Sequence, residues 1–456
     1  MAMGRRKRRQ RELFIGETEL PQGPGHPFYA RLNRILDGER FDEFVEKLCA
    51  QFYAEKVGRP SLPPAVYFRL LLIGYFEGVD SERGIAWRVA DSLTLREFLG
   101  YSLRESPPDH STISRNRRLI DLESHQEVFA WVLRVVAKAG LLKGKTLGVD
   151  ATTLEANAAL RSIVRRDTGE SYAEFLERLA KASGIETPTR EDLARIDRNR
   201  PGKGSNGDWV HPHDPDARIT KMKDGRTHLA HKAEHVVDMD TGTVLAVRVV
   251  SATVGDTQTI RQTFEEAVDN LNVVQGDEEA AARLSATVTA EVTADKGYHS
   301  NDVLLTFDEM GVRTYISEPR RGRRKWCGKE AEKQATYGNR RRIRAPRGQS
   351  LRRLRGELLE RSFAHCLETG AMRRTHLRGH DNIQKRAVVH VAGFNLGLMM
   401  YSLVGVGTPR GLQGRLAALR MALCDLLQRL FDRLTPLIAT HHILDDLQLP
   451  NTAVAV

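Results

Sequence analysis

Four carboxylates stand where chemistry could be done. Asp150 closes the apolar run in KTLGVDATTLEA (145–156), and Asp295 closes the β-branched run in ATVTAEVTADKGYHS (286–300). An ionised carboxylate in an apolar strand is costly unless something pairs with it. Two of them on one sheet edge repel each other unless a cation lies between them, and a hard divalent cation prefers oxygen ligands. A third carboxylate from a nearby helix would complete the shell. Glu357 and Glu360, in LRRLRGELLERSFAHCLETG (351–370), are three residues apart and so share a helical face. Either can supply that ligand.

Charge indicates the partner. The chain of 456 residues carries a formal +11, and residues 318–356 alone hold 15 Lys/Arg against 3 Asp/Glu, a net +12. The rest is nearly neutral, so one patch makes the protein basic, and such a patch suits a polyphosphate. Within and around it Arg340, Arg341, Arg342, Arg353 and Arg361 are candidate DNA contacts. Lys296, Tyr298 and His299 follow Asp295 and could touch a phosphate or a base, and Lys232 could lie near DNA. His228, His231 and His235 alternate along a strand and do not converge as a metal cluster would. Asp256 reads as a helix cap. Asp214 and Asp216, in HPHDPDA, have no physical role that the pattern reveals. Trp209 and Trp326 could stack on bases, although a core or surface role is the simpler reading. The four cysteines are scattered without a CxxC pair, which argues against a zinc site and fits a reducing cytosol.

The elements that position these residues follow from pattern and punctuation. Residues 1–27 read as a basic flexible arm with no apolar stretch of a secretory signal behind it. Residues 28–140 read as helices. In them DSERGIAWRVADS (80–92), a short helix LTLREFLGY and PPDHSTISRNRRLI (107–120) have the outline of a helix-turn-helix, with Arg115, Arg117 and Arg118 on the helix offered to DNA. From 141 to 404 strands alternate with helices. The runs 228–238 and 243–251 flank a D-T-G turn and predict a hairpin. Helices are predicted at 256–271 and from Asn301 to Met310, and a last strand at 312–317. Residues about 157–227 break the pattern as a helical insertion. The apolar run 388–407 lacks formal charges but contains His390 and Asn395, and is read as a buried helix rather than a membrane span. Residues 405–456 read as a helical tail. The alternation predicts an α/β fold, a mixed sheet with helices on its faces.

The motifs GVDATT, ADKGYHS and RGELLERSFAH, with RRTHLRGHDN and a following KR, resemble the DDE transposases of bacterial insertion sequences, and GRPSLPPAVYFRLLLIGYFEG with PPDHSTISRNRR resembles their N-terminal helical domain. The resemblance covers roughly residues 45–400. It implies a ribonuclease-H-like mixed sheet flanked by helices, joined to an N-terminal all-α domain. It implies that Asp150, Asp295 and Glu360 hold two Mg²⁺ or Mn²⁺ ions, with Glu357 as the alternative third ligand. The implied activity is cleavage and strand transfer on double-stranded DNA at element ends, by a homodimer in the DNA complex, in the bacterial cytoplasm at the nucleoid, without a membrane or a small-molecule cofactor. A catalytically silent DNA-binding remnant, or another nuclease of the same fold, would carry much of the same pattern.

Overall fold

The computed structural model describes residues 25–414 apart from 54–60, 103, 201–203, 223–224, 321 and 323, together with Leu423, Leu426 and Leu427. The basic arm before residue 25 and most of the C-terminal tail lie outside the described residues.

Helices dominate the first third. They are α1 (Pro27–Gly38), α2 (Phe41–Cys49), α3 (Pro64–Glu77), α4 (Glu82–Ala90), α5 (Leu93–Phe98), α6 (His110–Leu119) and α7 (Leu122–Lys138). Local chemistry sets their starts. Pro64 occupies the first helical position of α3, where its missing N–H costs nothing. Ser81, Ser92, Asp109 and Asp121 cap α4 to α7 with side-chain oxygens on free backbone N–H groups. Helix α3 is buried on nearly every side and forms the centre of this bundle. Its Arg69 is almost fully buried, yet it is satisfied by Asp37, Asp42 and Asn33. The tight turn of the helix-turn-helix outline is not found between α5 and α6, because residues 99–109, including Pro107 and Pro108, separate them.

Next come β1 (Thr146–Glu155), β2 (Val164–Arg165), α8 (Tyr172–Ala182), α9 (Arg190–Asn199), β3 (Trp209–Val210), β4 (Arg218–Lys221), β5 (Thr227–Asp238) and β6 (Val244–Ser251). They are followed by α10 (Asp256–Gln275), α11 (Glu278–Ala281), β7 (Glu291–Ala294), α12 (Asn301–Glu309) and β8 (Arg313–Ile316). The chain then makes α13 (Glu330–Arg344), α14 (Pro346–Ala364), a π turn (His365–Thr369) and α15 (His380–Val404). The six-stranded sheet runs β4–β5–β1–β7–β8, and β6 also pairs with β5. Strand β5 is antiparallel to β1, β4 and β6, whereas β7 and β8 run parallel to β1. The predicted hairpin is present. Gly242 takes φ 83° in its turn, a conformation that glycine adopts without strain. Asp238 at the turn accepts from the N–H groups of Lys143, Gly144 and Asp240, which fastens the hairpin to the entry of β1. The insertion has a small core of its own around Trp209, Phe175 and Leu176, but its last strand, β4, joins the main sheet. Trp209 is therefore enclosed rather than offered to bases. Of the basic segment, residues 330–344 form α13 and residues 346–356 the first half of α14, while Arg321 and Arg323 lie outside the described residues.

Helix α15 joins the two regions. Its first residues carry the KR pair of the sequence motif, and both are buried. Lys385 donates to the carbonyls of Arg117 and Ile120 at the end of α6, and Arg386 donates to Val79 O after α3. On the sheet side Asn395 exchanges two hydrogen bonds with the backbone of Val244, and Gln384 bonds the backbone of Val247 and Val249. The segment from His380 to Leu412 is the single stretch among the described residues long and apolar enough to cross a membrane, and 78% of its most apolar window is buried inside the protein. Gly393 lets α3 and α15 touch, since a Cβ there would lie 2.5 Å from Cδ1 of Tyr75. Gly393→Ala is expected to cost about 1–3 kcal/mol by overpacking, seen as a lower midpoint of thermal unfolding. An unchanged midpoint would mean that the two helices yield at no cost.

Candidate active site

Parallel pairing fixes the level of the acidic residues. Val149 of β1 stands opposite Ala294 of β7, and Ala294 opposite Ile316 of β8. One residue further on, Asp150, Asp295 and Ser317 lie side by side at the carboxyl edge of the parallel strands. Asp150 falls inside β1, which continues to Glu155 against β5, whereas Asp295 is the first residue past β7. Asp295 Oδ1 accepts the Gly297 N–H at 2.7 Å and caps a single 3₁₀ turn, Lys296–Tyr298. Lys296 is exposed at the rim beside it.

A third acid adjoins the pair. A Cβ on Gly297 would meet Asp256 Oδ2 at 2.7 Å and Asp295 Oδ1 at 3.0 Å, so the two carboxylates flank that glycine. Asp256 is the first residue of α10, not its cap. Its other oxygen accepts from Lys232 Nζ at 3.1 Å. Lys232 is buried and also donates to Val254 O and Thr259 Oγ1, so its ammonium is held within the protein. Beside it Glu234 is fully buried and accepts from Thr259, Thr263 and Tyr298. Burial pushes the Glu234 carboxyl above its usual range against those donors. Through Tyr298, this polar floor supports the loop that carries Asp295. Sequence reasoning missed Glu234. The available signal was its place two residues from Lys232 on one strand face, opposite a Thr259–Thr263 pair on a helix.

Asp150 has a cation already. Arg355 of α14 donates from Nη1 to Asp150 Oδ2 at 2.6 Å, with 15% and 28% of the two side chains exposed. Burial pushes the Asp150 carboxyl up, Arg355 and the Ala151 N–H pull it down, and the neighbouring charge of Asp295 raises it again, for a net upward shift. Arg355 is a second residue that sequence reasoning missed. Across β5, His235 pairs with Asp150 in register, and its imidazole contacts Ser362 Oγ of α14 at 3.0 Å. Burial holds that imidazole neutral, its pKa lowered to about 3.

Glu360 and Glu357 are not brought to the pair. Both are exposed on α14, whose sheet-facing side is made by Leu351, Leu358, Leu359 and Ser362. Glu357 pairs with Arg361 one turn on, at 2.7 Å, while Glu360 has no hydrogen-bond or ion-pair partner among the described residues. No group of three His, Cys, Asp or Glu among the described residues is set to hold a metal ion. The donor set at Asp150 and Asp295 is nonetheless oxygen only and half-buried, and it fits a hard divalent cation as a two-carboxylate start of a shell.

The candidate DNA contacts divide. Arg115, Arg118, Arg341 and Arg353 are exposed, and Arg361 is exposed while paired to Glu357. Arg117 is turned inward onto Glu82 and Asn382 and joins α6 to α4 and α15. Arg340 is bound by both oxygens of Glu318, which also takes Arg324. Arg342 donates to Thr314 O and Oγ1 and packs α13 on β8. These three side chains, like Lys232, are spent on contacts within the protein. A cavity of about 540 Å³ opens beyond Ser317 and Glu318, bordered by Arg320, Arg344 and Arg352, so positive charge adjoins the acidic edge.

Comparison with known families bears on two regions. A transposase domain (DUF772) matches residues 17–119, and the transposase DDE domain matches residues 193–396. The second match includes Asp295 and Glu360 but begins after β1, so the place of Asp150 rests on the strand register. No curated protein and no solved structure matches the chain.

Proposed function

From the premise that this chain belongs to the DDE transposase family, we propose that it cuts DNA at the ends of an insertion element and joins the freed ends to a target, on a ribonuclease-H-like sheet whose Asp150 and Asp295 lie at the centre of the active site. The observation that carries this reading is the register that sets those two carboxylates side by side on adjacent parallel strands. The strand order, with β5 antiparallel to β1 on its other side and β4 and β6 antiparallel to β5, supports the fold assignment.

Asp150 and Asp295 would hold divalent ions, Mg²⁺ or Mn²⁺, with Glu360 as the third ligand and Glu357 as its alternative. Ions bound there supply Lewis acidity, which activates the attacking oxygen and stabilises the leaving one in an in-line displacement. Asp295 is pre-oriented by its bond to the Gly297 N–H. Lys296, exposed next to it, would bind a substrate phosphate. The arginines bordering the cavity beyond Ser317 would hold the strand through its phosphates, which positions DNA without reading its sequence. Arg115 and Arg118 on α6 are the remaining exposed candidates of the helical region. Two element ends must be brought together, so a dimer on DNA is the expected assembly.

The test is an assay of the full chain with Mg²⁺ or Mn²⁺ on DNA carrying the sequences that flank its gene. Cleavage followed by joining of 3′ ends supports the proposal. Cleavage without joining would point to a nuclease on the same fold. Binding with neither would leave a silent DNA-binding protein.

A further inference from the structure

The Asp150–Arg355 pair and the outward position of Glu360 are two sides of one arrangement. Arg355 and Glu360 are five residues apart on α14. At about 100° per residue they point roughly 140° away from each other around the helix, and they are separated by about 7.5 Å along it. While Arg355 reaches Asp150, Glu360 is turned to solvent. One setting of α14 cannot give both side chains to the same carboxylate. The helix ends in the π turn His365–Thr369, a kind of irregularity that breaks α-helical register and is frequent at functional sites. The C-terminal half of α14 meets the sheet through buried Leu358 and Leu359, the Ser362–His235 hydrogen bond and the Phe363 ring stacked on His235 at 4.2 Å, and no ion pair other than Arg355 fixes it there among the described residues.

We propose that Arg355 is the protein's own counter-ion for Asp150 and that it competes with the divalent ion for that carboxylate. Loading the site exchanges the guanidinium for the ion. Helix α14 then turns, with the π turn absorbing the change of register, and presents Glu360 to the strand edge. Arg355 is thus a positioning residue that sets metal affinity. This inference rests on the reading of Asp150 and Asp295 as metal ligands.

The experiment measures Mn²⁺ binding to the full chain without DNA, by the loss of the free-ion electron paramagnetic resonance signal. Arg355→Gln is expected to bind Mn²⁺ about tenfold more tightly than the wild type, because the ion no longer displaces a charge-assisted bond. Arg355→Lys, which keeps the charge, is expected to stay near the wild type. Asp295→Asn is expected to lose binding. If Asp295→Asn binds as well as the wild type, the metal-ligand reading itself fails. If Asp295→Asn loses binding but Arg355→Gln gains nothing, the exchange is overturned. Amide exchange gives a second measure that needs no variant. In the wild type, saturating Mn²⁺ is expected to change hydrogen exchange in residues 355–369, and an unchanged pattern there would overturn the turning of α14.

Discussion

Asp150→Asn and Asp295→Asn are each expected to lower DNA cleavage and joining on the order of a thousandfold or more, since residues that act as one catalytic unit fail together. The two variants should differ in how the protein tolerates them. Asn at 295 keeps an oxygen for the Gly297 N–H, so the 3₁₀ turn and the loop above Tyr298 should stand. Asn at 150 leaves the Arg355 guanidinium, 15% exposed, without its carboxylate. That loss should cost about 1–2 kcal/mol of folding stability. Far-ultraviolet circular dichroism and a thermal melt beside the activity assay separate the effects. Glu360→Gln should be as inactive as the strand variants. Glu357→Gln should retain activity, because that carboxylate is spent on an exposed pair with Arg361 that is worth a few tenths of a kcal/mol. A chain that cuts and joins with Asn at both 150 and 295 would remove the acidic edge from the mechanism altogether.

What could be read from residue order was what local rules govern. The run LGVDATT is apolar up to its aspartate and folds as β1, but the strand continues past Asp150 to Glu155 because β5 goes on pairing with it. The D-T-G turn makes its hairpin, and the uncharged run with His390 and Asn395 is buried as expected, its two polar side chains bonded to Gly370 O and to the backbone of Val244. Pairing was not legible. Arg340, Arg342, Arg117 and Lys232 are cations without evident partners in a row of letters, and the partner of a long charged side chain is chosen by whatever the fold packs against it. Arg355 was hidden the same way: its partner lies 205 residues earlier. β7 is shorter than its β-branched run because residues 286–290 have no strand neighbour to pair with, since β8 meets β7 only from Glu291 to Ala294.

The most telling case is HPHDPDA, whose aspartates had no assigned role. In the structure both reach the start of α15, where helical N–H groups lack partners. Asp214 Oδ1 accepts from Gly379 N at 3.2 Å, and Asp216 Oδ2 from His380 N at 3.1 Å. The other Asp214 oxygen faces His231 Nε2 of β5 at 3.4 Å, with both side chains fully buried. One carboxylate therefore ties the insertion, the sheet and the helix that bridges to the N-terminal region. Burial alone would raise the Asp214 pKa, but the bond and charge of His231, the Gly379 N–H and His211 outweigh it and hold the carboxyl below its usual range. Asp214→Ala should accordingly cost about 2–4 kcal/mol, because it leaves a buried imidazole and a helix N-terminus without an acceptor. Asp214→Asn, which keeps one acceptor, should cost less. The sign with pH follows from the lowered pKa. The contribution is complete above the unfolded carboxyl value and disappears as pH falls through the folded one. The stability gap between wild type and Asp214→Ala, measured by denaturant unfolding, should thus be full at pH 7 and close at strongly acidic pH. A gap that is the same at both, or a variant as stable as the wild type, would show that the junction is held by packing and that the carboxylate adds nothing to it.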